Sequence, residues 1–225
     1  MKTLASILNA LPPTKVIDSS IDFSKYIPLD LSVTNQELVK SNPENAKEFE
    51  EFISNYLKKN NAEVAFGGYI EGRTLYKRST IFRNNSVPER NIHIGLDLWT
   101  KAGTSVLAPL DGKVHSFKNN IGLGDYGPTI ILEHEIEEER FYTLYGHLSL
   151  ESIEDLAVGQ FFKKGEQIAT MGQAAVNGDY APHLHFQIIQ NIQDYVGDYP
   201  GVCNTSDLNF YIENCPDPNL LLKIT

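Results

Sequence analysis

No run of 18 or more apolar residues occurs anywhere in the 225-residue chain, which excludes a transmembrane helix of ordinary length. Basic residues are scarce as well. Nineteen Lys and Arg stand against 29 Asp and Glu, for a formal net charge of −10, and the cations are scattered. A nucleic-acid groove needs a basic stripe to replace phosphate counterions, so that class of partner is excluded. Cysteine is limited to Cys203 and Cys215. The pair is too small for a disulfide framework and is read as free thiols, with closure of one short loop open to it in an oxidising compartment. Residues 1–13 hold one basic residue and an apolar stretch broken at Asn9, a poor secretion signal. A cytoplasmic location is the expectation, with a periplasmic or exported one as the alternative.

What the chain does have is apolar residues along its whole length, 41% of the total, enough for a substantial core and against wholesale disorder. Their pattern divides it in three. Residues 1–65 form a helical front segment. Ser41 and Glu44 supply the two halves of a capping box with Pro43 in the first turn, and Ala46, Phe49, Phe52, Ile53, Tyr56 and Leu57 then recur at threes and fours. Lys58 and Lys59 followed by Asn60 and Asn61 suit the negative end of that helix. Thr34 and Glu37 could cap a shorter helix before it. Residues 66–190 switch to short β-branched and aromatic runs punctuated by Gly and Pro, such as 129–133, 141–145 and 184–189, and read as antiparallel sheet. Residues 191–225 form a loop-rich tail packed on the core. An amphipathic front helix is expected to pack on the β body, with a lid over a site or a partner-binding surface as its other uses.

Chemistry concentrates in the β body. Residues 91–99, Asn-Ile-His-Ile-Gly-Leu-Asp-Leu-Trp, alternate strictly, so His93, Gly95, Asp97 and Trp99 share one face. In a flat strand the α-carbons of His93 and Asp97 would be about 13 Å apart, but Gly95 stands where the backbone can bend and draw them together. Read alone, the pair is weak evidence for a metal, since a strand carries a His and an Asp more often for solubility or for a mutual hydrogen bond. Residues 181–189, Ala-Pro-His-Leu-His-Phe-Gln-Ile-Ile, repeat the arithmetic: Leu184, Phe186 and Ile188 face a core, and His183 and His185 stand about 7 Å apart on the other side. They could present both rings to one metal, or one ring to metal and one to substrate. Tyr145-Gly146-His147-Leu148 adds a third segment. His115 and His134 sit where strand alternation and neighbouring charge suffice to explain them.

Taken in order, His-x3-Asp, Tyr-Gly-His-Leu and Pro-His-Leu-His-Phe resemble the lysostaphin-type, or LytM-like, zinc metalloendopeptidases. The resemblance spans roughly residues 90–190 and includes Ala108-Pro-Leu-Asp-Gly-Lys-Val114 and the 158–172 stretch. It implies a mainly β fold, an antiparallel metallopeptidase core of the barrel-sandwich-hybrid kind carrying the short helical N-terminal segment. It implies one zinc ion held by His93, Asp97 and His185, with His147 and His183 as non-ligand catalytic residues for proton handling and oxyanion support. Two imidazoles and one carboxylate leave the fourth tetrahedral position open, as a catalytic site requires. The implied activity is hydrolysis of amide bonds by zinc-activated water, with peptidoglycan or its fragments as substrate. An intracellular peptide or amide hydrolase of the same chemistry and a non-catalytic binding or regulatory module are the alternatives. The chain departs from the family pattern at Gly178-Asp-Tyr-Ala181, where Ser-Thr-Gly is usual, and in a slightly longer loop from 172 to 183. It also has Gln187 where an acidic residue is frequent, and it lacks a Tyr close before His93; the nearest upstream is Tyr76. Loops 119–127 and 173–181 are expected to wall the groove.

Overall fold

The computed structural model describes residues 2–35, 38, 44–73 and 89–225. In chain order they carry α1 (Leu4–Ala10), β1 (Tyr26–Pro28), α2 (Ala46–Lys59), β2 (Val64–Gly67), β3 (Glu71–Gly72), β4 (Ile92–His93) and β5 (Leu96–Trp99). There follow β6 (Ser105–Leu107), β7 (Gly112–Asn120), β8 (Gly127–Ile136), β9 (Glu139–Gly146), β10 (Phe161–Phe162), β11 (Gln167–Thr170), β12 (His183–Ile189), β13 (Val202–Cys203), α3 (Leu208–Asn214) and α4 (Asn219–Leu222). The protein is mainly β with a mixed sheet and few helices. No described helix is long and apolar enough to cross a membrane.

Eight strands form the main sheet in the order β1-β2-β5-β12-β9-β8-β7-β10. Strands β7, β8 and β9 make a meander rich in β-branched and aromatic residues, the types that fit a pleated surface. Glu137 and Glu138 both have positive φ, 52° and 69°, which a two-residue hairpin demands, and the β8–β9 ladder runs up to the pair Ile136–Glu139. Strand β12 is buried along its whole length. Its Leu184, Phe186 and Ile188 pack into the main core with Leu98, Ile130 and Tyr145. Its other face carries His183, His185 and Gln187, beneath residues from both ends of the chain.

The front segment is not purely helical. Strands β1 and β2 pair in parallel at the sheet edge and α2 joins them, because two parallel strands need a long crossover. Pro28 is tolerated in β1 because an edge strand can forgo a donor. Helix α2 begins at Ala46, with the Asn45 side chain accepting the Glu48 N–H at 3.1 Å. Ser41, Asn42 and Pro43 of the expected capping box, and Glu37 of the shorter helix, lie outside the described residues. Phe49 and Ile53 pack with Leu29, Leu31, Ala65, Trp99 and Ala181 in a second apolar cluster. The tail, expected as loop, carries α3 and α4. Cys203 and Cys215 are both buried and unbridged.

His134 is a structural group of the sheet. Its Nδ1–H donates to the Asp111 carbonyl at 2.8 Å, and Nε2 lies 2.7 Å from the Thr143 hydroxyl. Burial pushes its pKa down to about 4. A histidine with a folded-state pKa below its unfolded value withdraws stability as pH falls from about 6.5 toward 4, where the unfolded chain takes up the proton first. Urea denaturation at pH 7 and pH 5 should therefore show a loss from this group of roughly 2 kcal/mol, absent from the difference measured on His134→Gln. An identical pH slope in the two proteins would remove His134 as its source.

Candidate metal centre

The register of β12 against β5 places His185 directly opposite Asp97 and His183 directly opposite Trp99. Such cross-strand pairs stand side by side on one face, about 5 Å apart. Bringing His93 to them takes a break in the strand. The alternating stretch 91–99 does not run straight: His93 lies on β4, in a three-stranded sheet between β3 and β13, whereas Asp97 lies on β5 in the main sheet. Its apolar side divides accordingly, Ile94 packing with Ile131 and Leu144, and Leu96 and Leu98 with the main core. The turn falls at Ile94 and Gly95. Gly95 is required by proximity, since a Cβ there would lie 2.4 Å from Cε1 of His185.

The outcome is a tight triangle. His93 Nε2 is 2.9 Å from His185 Nδ1, and Asp97 Oδ1 is 3.2 Å from His185 Nδ1 and 3.3 Å from His93 Nε2. Ligands about 2.0–2.1 Å from a tetrahedral zinc are separated by roughly 3.3 Å, so the triangle fits such an ion. The partners behind the three groups matter equally. His93 Nδ1–H donates to the Gly68 carbonyl at 2.8 Å, His185 Nε2–H donates to Gln187 Oε1 at 2.9 Å, and Asp97 Oδ2 accepts from Arg73 Nη1 at 2.6 Å. With those nitrogens carrying the protons, both neutral rings turn bare lone pairs toward Asp97 Oδ1. Three acceptors in mutual contact are reconciled by a cation, and His93, Asp97 and His185 form a His/Asp cluster able to hold a metal ion.

Electrostatics keep His93 and Asp97 in their metal-binding forms. Burial pushes His93 down to about 4, helped by the charge of Arg73 and opposed by Asp97. Burial alone would raise the Asp97 pKa, but the facing His93 and the charge of the Arg73 guanidinium outweigh it and hold the carboxyl well below the usual range. At neutral pH the pair is imidazole and carboxylate.

His147 and His183 face the same space. His147 follows β9 with a positive φ of 63°, and its Nδ1–H donates to the Asn177 carbonyl at 2.8 Å. His183 Nδ1–H donates to the Ala181 carbonyl at 2.8 Å, and its Nε2 lies 3.9 Å from Asp97 Oδ1. The two ring centroids are 4.2 Å apart. Burial lowers the pKa of both, that of His147 further with the added charge of His183 and His185. Trp99 stacks on His183 at 5.7 Å, and Tyr180 meets His147 edge-on at 5.1 Å.

All five of these side chains line one cleft. The expected walls are present in Gly124 to Tyr126 and in Tyr180 and Ala181. Two further walls escaped the reading of the sequence: Leu31 and Phe49 from the front segment, and residues 198–202 from the tail. Arg73 also escaped it, being one cation with no periodic neighbours. Tyr76 lies outside the described residues. Tyr126 instead stands at the site, its ring 5.5 Å from that of His147 and 5.1 Å from that of His185. His134 lies elsewhere in the sheet, and His115 packs against Tyr142.

Residues 91–196 match the family described as peptidase family M23. An uncharacterized metalloprotease of Haemophilus influenzae is 37% identical over 95 residues, which are 42% of this chain and 18% of that protein. The chain therefore matches less than a fifth of that relative's length. Solved structures to which it is similar include a zinc-containing peptidase from Vibrio cholerae, at 30% identity over 48% of this chain and 30% of that one, TM-score 0.35. They also include the catalytic domain of the antimicrobial peptidase lysostaphin from Staphylococcus simulans, at 26% identity over 54% of this chain and 80% of that one, TM-score 0.35.

The close approach at Gly95 can be tested directly. Gly95→Ala should displace the His185 ring and weaken divalent-metal binding about 10-fold or more, measured by competition with a chromophoric chelator, while the circular dichroism of the sheet is retained. Unchanged affinity would mean that the ring has room the structure denies it.

Proposed function

From the match of residues 91–196 to peptidase family M23, we propose that this protein is a zinc-dependent metalloendopeptidase that hydrolyses peptide bonds in peptidoglycan or its fragments. The observation that carries the proposal is the meeting of ligand atoms from His93, Asp97 and His185 with two further imidazoles in one cleft. In this reading His93, Asp97 and His185 would hold a single zinc. Zinc bound there supplies a Lewis acid that polarises the scissile carbonyl and makes water acidic near neutral pH.

The remaining work falls to the chain. His147 and His183 each have Nδ1–H tied to a backbone carbonyl, so Nε2 is the atom that exchanges protons. Burial keeps both rings neutral before the reaction, the state a general base needs; once protonated, a ring can pass its proton to the leaving amine or donate a hydrogen bond to the developing oxyanion. Trp99 and Tyr180 hold the rings in place. Leu31, Phe49 and Trp99 give a substrate side chain an apolar surface to lie against. The peptidoglycan substrate rests on the motif resemblance alone.

Two substitutions separate the roles. Asp97→Ala should lose both zinc, by elemental mass spectrometry, and hydrolysis of peptidoglycan fragments. His147→Ala should keep about one zinc per chain and lose activity by roughly 10²- to 10⁴-fold. Equal loss of metal in the two variants would place His147 among the ligands. A wild-type protein that takes up no zinc on supplementation would end the peptidase reading in favour of a binding module.

A further inference from the structure

Gln187 departs from the acidic residue frequent at its position, and the structure supplies a reason. It is fully buried, and its amide spans two parts of the molecule. Oε1 accepts from His185 Nε2–H at 2.9 Å, while Nε2 donates to the Pro200 carbonyl at 3.2 Å and to Cys215 Sγ at 3.3 Å. A carbonyl can only accept, so Pro200 fixes which end of the amide faces it. The oxygen is thereby turned to His185, which must carry its proton on Nε2. Nδ1 is left bare toward His93 and Asp97.

The tail holds this arrangement firmly. Val202 pairs with His93 across β13 and β4, and Ile94 N–H donates to the Gly201 carbonyl at 3.0 Å. Gly201 packs so closely under Tyr126 that a Cβ there would lie 1.9 Å from its hydroxyl. A carboxylate at 187 would bond an imidazole N–H more strongly, but its second oxygen would face the Pro200 carbonyl with no proton between them. The tail thus selects an amide.

We propose that Gln187 is a positioning residue through which segment 200–215 fixes the tautomer of His185 and so the strength of metal binding. This rests on the metal-centre reading given above. Two measurements test it: nitrogen NMR of histidine-labelled, metal-free protein, which reads the tautomer, and zinc affinity by chelator competition. The wild type should show His185 as the Nε2–H form. Gln187→Met should give mixed tautomers and bind zinc roughly 10- to 100-fold more weakly. Gln187→Glu restores the acceptor to His185; it should keep the Nε2–H form and an affinity within a few-fold of wild type, while melting at lower temperature.

Wild-type affinity in a folded Gln187→Met protein overturns the proposal. Should that variant not fold, the other two results decide it: an Nδ1–H tautomer in the wild type, or a folded Gln187→Glu protein that loses zinc, overturns it equally. A wild-type protein with the Nε2–H form but no affinity for zinc overturns the metal-centre reading and leaves the tautomer assignment standing.

Discussion

Holding a carboxylate and two imidazole lone pairs within 3.3 Å of one another costs free energy, and much of the surrounding structure offsets that cost. Asp97 is 2% exposed, and the effective penalty for burying such an ion without partners is several kcal/mol. Arg73 meets it at 2.6 Å, is itself held by Glu71 at 2.6 Å, and Glu71 Oε1 accepts the Leu31 N–H at 3.0 Å. The chain of contacts runs from the front segment through a buried guanidinium to the carboxylate. It leaves Oδ1 turned to the imidazoles because Oδ2 is already taken.

The division of labour along the sequence follows from this. The five imidazole and carboxylate side chains of the site all lie within residues 91–196, the stretch matched by the family. Much of what orients them lies outside it. Gly68, Glu71 and Arg73 precede that stretch, and Pro200, Gly201, Val202 and Cys215 follow it. A metal site built on facing strands is only as definite as the hydrogen bonds behind its ligands. Here those bonds reach both flanks, which also line the cleft through Leu31, Phe49 and Tyr199.

What could be read in advance was local in origin. His183 and His185 share a face because a strand has period two, and the β12–β5 register then turns that face toward Asp97 and Trp99. The bend that unites His93 with Asp97 was legible in Gly95, although not that the bend would pass the chain from one sheet to another. The buried stripe of α2 followed from its threes and fours; its start did not, since Asn45 caps it. Strand β1 is three residues long and ends in Pro28, too little signal to set against a helical neighbourhood. Helix α3 starts at Leu208, and its N-cap residue Asp207 makes no side-chain cap hydrogen bond. Arg73 lies 24 residues from Asp97, and no periodicity connects the two.

Trp99 is the chain's single tryptophan, and it sits between the guanidinium of Arg73, 5.7 Å from its ring, and the stacked ring of His183. An indole so placed is sensitive to the charge and protonation of its neighbours. The protein therefore carries its own optical reporter at the wall of the cleft. Entry of an ion into the His/Asp cluster, protonation of His183 and arrival of a ligand beside Phe49 would all change the surroundings of one fluorophore, with no second emitter of its kind elsewhere to dilute the signal.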